Sequence, residues 1–119
     1  MDLLDELDRA RVAEILADPH ARDVIAATIG QARSPKELLE STRIPHATLY
    51  RVLHRLEEAK LLIKERSAMT PDGKPYDLWR STVRAVTVTY DAAGMRVDVE
   101  LNEGAAEKWA RMWRTLKGL

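Results

Sequence analysis

Apolar residues recur along this chain first at helical spacing and then at strand spacing. Between Leu3 and Ala17, the positions Leu4, Leu7, Val12, Ile15 and Leu16 predict a first helix that stops at Asp18-Pro19. Asp18 is a good N-cap and Pro19 a natural first-turn residue, so Ala21, Val24, Ile25, Thr28 and Ile29 predict a second helix ending at Gly30. Ser34-Pro35-Lys36-Glu37 reads as a capping box that opens a short third helix reaching about Ser41. Pro45 then stands at the start of a fourth helix, whose inward stripe is Leu49, Val52, Leu53 and Leu56 and whose end falls near Lys60.

From Leu61 the pattern becomes extended. The segments "LLIKERSAM" and "PYDLWRST" flank Thr70-Pro71-Asp72-Gly73-Lys74-Pro75, which predicts a β-hairpin with a basic, proline-framed tip. A second hairpin is predicted by the alternation of Val86, Val88 and Tyr90, and then of Met95, Val97, Val99 and Leu101, around Asp91-Ala92-Ala93-Gly94. Its two faces should be one apolar and one polar. From about Glu103, Ala105, Ala106, Trp109, Met112, Trp113 and Leu116 share one face of a last helix. The order α-α-α-α-β-β-β-β-α gives an α+β fold of one domain: a core over 10–83, a second hairpin over 84–101 and a C-terminal helix over 103–117.

Two helices joined by a turn of about three residues and followed by a basic hairpin form a winged helix-turn-helix. The stretch "SPKELLESTRIPHATLYRVLHRLEEAKLLIKE", and within it "IPHATLYRVLHRLEEAKLL", resembles the DNA-binding core of ArsR-like winged-helix transcription regulators. The continuation "KPYDLWRSTVRAVTVTY" is similar to the wing and following hairpin of archaeal members, and the resemblance covers roughly residues 10–101. It implies a homodimer that regulates transcription by placing the helix of about 45–60 in the major groove of double-stranded DNA. The wing, about 61–82, would lie on the adjacent backbone or minor groove. Winged helices also serve as interaction modules, so a part in a transcription or replication complex with weak or no DNA binding is the competing reading.

Packing the Leu49 stripe inward turns His46, Ala47, Tyr50, Arg51 and His54 outward. Arg51 suits a paired hydrogen bond to guanine, Ala47 a thymine methyl, and His54 and Tyr50 bases or phosphates. Tyr50 reads equally as a partly buried packing residue. Ser34, Arg43, Thr48 and Arg55 are candidates for fixing the DNA backbone, and Lys74, with Lys64 and Arg66 as weaker candidates, for carrying the wing toward DNA. Leu4 and Leu7 with Trp109, Met112, Trp113 and Leu116 are the candidate dimer interface. For Tyr90, Trp109 and Trp113, core packing is preferred to a small-ligand pocket, and any effector is unidentified.

Charge sharpens this picture. The chain has 19 basic and 19 acidic residues, yet residues 1–32 carry three cations against seven carboxylates and residues 33–84 eleven against seven. A basic middle in a neutral chain can turn one face to phosphates. The absence of Cys removes disulfides, thiolate metal sites and cysteine nucleophiles. His46 and His54 are eight residues apart, too far for the i, i+4 pairs of helical zinc sites, and His20 stands alone, so no metal or other cofactor is expected; metal-sensing ArsR-like proteins use clusters that this sequence lacks. The five glycines make no phosphate-binding loop, no nucleophile elbow surrounds a serine, and an enzyme is not expected. Short apolar runs and an acidic opening after Met1, unlike a secretory leader, predict a soluble, cytoplasmic protein with no membrane partner.

Overall fold

The computed structural model describes residues 3–117. Helices α1 (Leu3–Glu6), α2 (Arg9–Leu16), α3 (Pro19–Ile29), α4 (Pro35–Thr42) and α5 (His46–Glu58) come first. Two antiparallel hairpins follow, β1 (Leu62–Met69) with β2 (Pro75–Ser81) and β3 (Val83–Asp91) with β4 (Gly94–Leu101), before α6 (Glu103–Lys117). The single first helix expected over residues 3–17 is two helices. Asp8 caps α2, its carboxylate accepting the Arg11 N–H at 3.2 Å, and a side chain that hydrogen-bonds the local backbone in this way competes with helix continuation.

The other helix starts follow their sequence signals. Asp18 accepts the His20 N–H at 2.9 Å ahead of Pro19. In the capping box of α4 the Ser34 hydroxyl accepts the Glu37 N–H at 3.1 Å, and the Glu37 carboxylate accepts the Ser34 N–H at 3.0 Å. Two non-glycine residues in the left-handed region close the helices of the pair: Arg43 (φ 59°) after α4 and Lys60 (φ 67°) after α5. At Lys60 the Leu61 N–H reaches back to the Leu56 carbonyl and the Lys60 N–H to Glu57, both at 2.9 Å, the bonding pattern of a Schellman cap. The αL position usually belongs to glycine; here burial of Leu61 accompanies the turn.

The first hairpin is extended on one side by a single bridge, in which Arg33 and Trp79 exchange N–H···O bonds of 2.8 Å. Thr82, between the hairpins, donates its N–H to Leu61 at 3.0 Å and its hydroxyl to the Lys60 carbonyl at 2.7 Å. The Asn102 amide donates to the carbonyls of Ile29 (2.9 Å) and Ser81 (3.0 Å), so one side chain ties α3, the wing and the end of β4 together. The Ile29 and Ser81 oxygens are among those that a helix end and a strand end leave open.

The core gathers Val12, Ile15, Val24, Leu38, Leu49, Leu53, Leu56, Leu61 and Val83, with Leu3 and Leu7 from the first segment and Val97 from β4. Leu7, a candidate for the dimer interface, is therefore buried inside the monomer, while Leu4 is half-buried. The second hairpin has the expected pairs Val86↔Val99, Val88↔Val97 and Tyr90↔Met95. Its apolar face is covered only from the base to mid-strand: Val97 is buried and Val86, Val99 and Leu101 partly so, whereas Tyr90 is 83% and Met95 51% exposed. The preferred reading of Tyr90 as a core residue is corrected by this geometry, because the packed helices end before they reach the tip. Trp109 packs against the core and stacks on the half-buried Trp113 with ring centroids 5.4 Å apart; Met112 and Leu116 are exposed. No helix among the described residues is long and apolar enough to cross a membrane.

Candidate nucleic-acid interface

On α5 the buried residues Leu49, Val52, Leu53 and Leu56 define one side, so the 100° step of a helix puts Ala47, Arg51, His54 and Glu58 on the opposite side. All four are exposed. Arg51 makes no ion pair among the described residues; its guanidinium lies 3.5 Å from the Thr48 hydroxyl, one turn back. Glu58, at the far end of the same face, is paired with Arg11 of α2 at 3.6 Å. The cationic end of the face is thus its first two turns. Pro45 precedes α5 without a side-chain cap bond, which leaves the N–H groups of the first turn available at that end.

The flanks of α5 differ. On one, His46 and Tyr50 lie ring to ring at 4.8 Å, and Glu57 holds Lys64 of β1 at 4.0 Å. On the other, Arg55 reaches Glu14 of α2 at 3.7 Å and Asp18 at 3.9 Å. Arg55 was expected at the DNA backbone, but two carboxylates of the acidic N-terminal segment hold it against the body.

Ser34 is likewise occupied, 7% exposed with its hydroxyl engaged in the α4 cap. Glu37, which completes that cap, is held below its ordinary carboxyl value first by the Ser34 N–H it accepts; burial opposes this, and the Ser34 hydroxyl and Arg33 at 3.4 Å add smaller lowering effects. Arg43 and Thr48 stand at the surface beside the turn, Arg43 exposed and Thr48 half-buried, with no carboxylate paired to either among the described residues.

The wing is close to charge-balanced. Lys64 lies 5.4 Å from the Trp79 ring centroid and 3.8 Å from Asp77, Arg80 pairs with Glu65 at 3.2 Å, and Lys74 at the tip is 3.9 Å from Asp72. Arg66 is the wing cation with no such pairing among the described residues. Lys36, exposed in the first turn of α4, is a further cation without a carboxylate pair among the described residues, and it is hard to single out from sequence because it lies inside a capping motif. No group of three or more His, Asp or Glu residues among those described is placed to hold a metal ion.

Helices α4 and α5, joined by Arg43–Pro45 and followed by the β1–β2 wing, make this a winged helix-turn-helix fold. Residues 16–65 match a family model described as a helix-turn-helix domain, a span running from the end of α2 through α3, α4 and α5 into β1. No curated protein matches the chain. The match supports a DNA-binding regulator and falls on the elements that carry Arg51, His54 and the turn.

Proposed function

We propose that the protein is a sequence-specific, double-stranded DNA-binding transcriptional regulator that works as a homodimer, of the ArsR-like kind found in archaea, and not an enzyme. The observation that carries this reading is the uncovered face of α5. Ala47, Arg51 and His54 span about 10 Å along the helix at ~1.5 Å per residue, the rise of about three base pairs. A major groove accepts a helix of this width, with Arg51 able to donate two hydrogen bonds to guanine O6 and N7 and the Ala47 methyl able to meet a thymine methyl. Arg43 and Thr48 lie where a phosphate would flank the helix start; Lys74 and Arg66 would touch the backbone beyond the wing. Ser34 and Arg55 act indirectly, one by capping α4 and the other by clamping α5 to α2 and α3.

A single winged helix reads only a few base pairs, and two related by a two-fold axis read half-sites about one turn apart. The exposed Met112 and Leu116 of α6, with the half-buried Leu4, Trp109 and Trp113, supply apolar surface for such a pair, and the tip of the second hairpin adds Val88, Tyr90 and Met95. The test is a titration of labelled genomic duplex fragments at rising salt. Binding that tightens on particular fragments and falls steeply with salt is expected, because each neutralised phosphate releases counterions. No binding to any fragment at low salt by folded protein would favour a protein-interaction module instead.

A further inference from the structure

A cleft of about 360 Å³ lies between α4, α5 and the wing. Lys36 from the first turn of α4, Tyr50 from the flank of α5, and Met69, Thr70, Pro71 and Tyr76 from the wing line it. Its lining includes one ammonium group and no carboxylate, in a chain with as many acids as bases. The α4 N-terminus is closed by its own capping box, so Lys36 rather than the helix end supplies the charge. The Thr70 hydroxyl is already engaged, accepting the Lys74 N–H at 2.9 Å and donating to Asp72. The hydroxyls of Tyr50 and Tyr76 have no hydrogen-bond partner among the described residues. Met69, 65% exposed, and Pro71 add an apolar edge.

We propose that this cleft seats one phosphodiester of the DNA strand bordering the groove that α5 enters, with Lys36 and the Tyr50 and Tyr76 hydroxyls on the phosphate and Met69 and Pro71 against the deoxyribose. The inference rests on the DNA-binding reading above. An ammonium and two phenols are donors that suit a singly charged phosphate, and the apolar edge suits the sugar between phosphates. The cleft also explains why a wing with balanced charges need not repel or ignore DNA: the phosphate is gripped where the wing's turn lies beside α4, and α4 rather than the wing provides the cation. A contact of this kind positions the protein without reading sequence.

The experiment measures affinity for a bound genomic duplex, and its slope against salt, for the wild type, Lys36→Met, Tyr76→Phe and Arg51→Ala, with thermal melts to confirm folding. Lys36→Met and Tyr76→Phe should each weaken binding about 3- to 10-fold on every sequence. Lys36→Met should also reduce the salt slope by about one. Replacing backbone phosphates one at a time by neutral methylphosphonate should reveal a position whose loss weakens the wild type but not Lys36→Met. If both cleft variants bind with wild-type affinity and salt slope while Arg51→Ala binds more weakly, the cleft is not a phosphate seat and the DNA-binding reading survives. If the wild type binds no duplex, both readings fall.

Discussion

The helix-turn-helix body and the C-terminal extension have equally regular apolar patterns, but only the body uses its pattern up. In α5 all four residues of the stripe are buried, with Leu49 and Leu56 fully so, and the facing helices and wing cover them. In β3, β4 and α6 the pattern is half used: Val97, Ala105 and Ala106 are buried, while Tyr90, Met95, Met112 and Leu116 stand in water. The body is thus a finished core, whereas the extension leaves part of its apolar pattern exposed.

The sharpest way to break this comparison is to truncate one residue in each region. Leu53→Ala should cost about 2–5 kcal/mol in urea unfolding, since it removes buried volume the packed helices cannot refill. Leu116→Ala should change monomer stability by less than about 0.5 kcal/mol at high dilution. Equal losses would mean that the extension is as fully packed as the body. Next in size is association: on the dimer proposed above, wild type should sediment as a dimer at micromolar concentration and Met112→Glu with Leu116→Glu as a monomer. These two are better probes than Trp109, which also packs on the monomer core. A monomeric wild type would assign the exposed stripe to some other partner.

Smaller effects test the body alone. Ser34→Ala should cost about 1 kcal/mol by unfolding the α4 cap, with no change in sedimentation. Glu37 belongs to the same cap, and its depressed pKa fixes the sign of a pH effect. A carboxyl that ionises more readily folded than unfolded adds stability above its unfolded value, ordinarily near 4.5, and that increment fades as pH falls through the lower folded value. The melting temperature of the wild type should therefore drop faster below pH 4.5 than that of Glu37→Gln. Because the Glu37 side chain is 44% exposed, solvent screens the interaction and the difference should be slight.

Most of the body was legible because its signals are local: the Asp18-Pro19 start, the Ser34-to-Glu37 box and the Leu49 stripe each depend on residues within two turns. The misreadings arise where a local backbone bond competes with the apolar spacing, or where the outcome depends on what lies across the fold. Leu3 to Ala17 has continuous helical spacing, yet Asp8 turns its carboxylate back on the chain. Arg55 is exposed by its helix position, but Glu14 and Asp18 reach it from elements more than 30 residues away. Lys60 carries a left-handed turn without glycine's signature, so the end of α5 could be placed only approximately. The alternation of Val88, Tyr90 and Met95 shows one apolar face without showing how far the helices extend over it. Lys36 and Tyr76 come together only because the wing folds back beside α4.

The central claim is that the first two turns of α5 read duplex DNA. Its most direct measurement is the affinity of wild type and Arg51→Ala for a preferred fragment and for scrambled duplex of the same length and salt. Arg51→Ala should cost ~1–3 kcal/mol on the preferred fragment and little on the scrambled one, flattening the difference between them. Equal loss on both, or none on either, would contradict base reading by this helix.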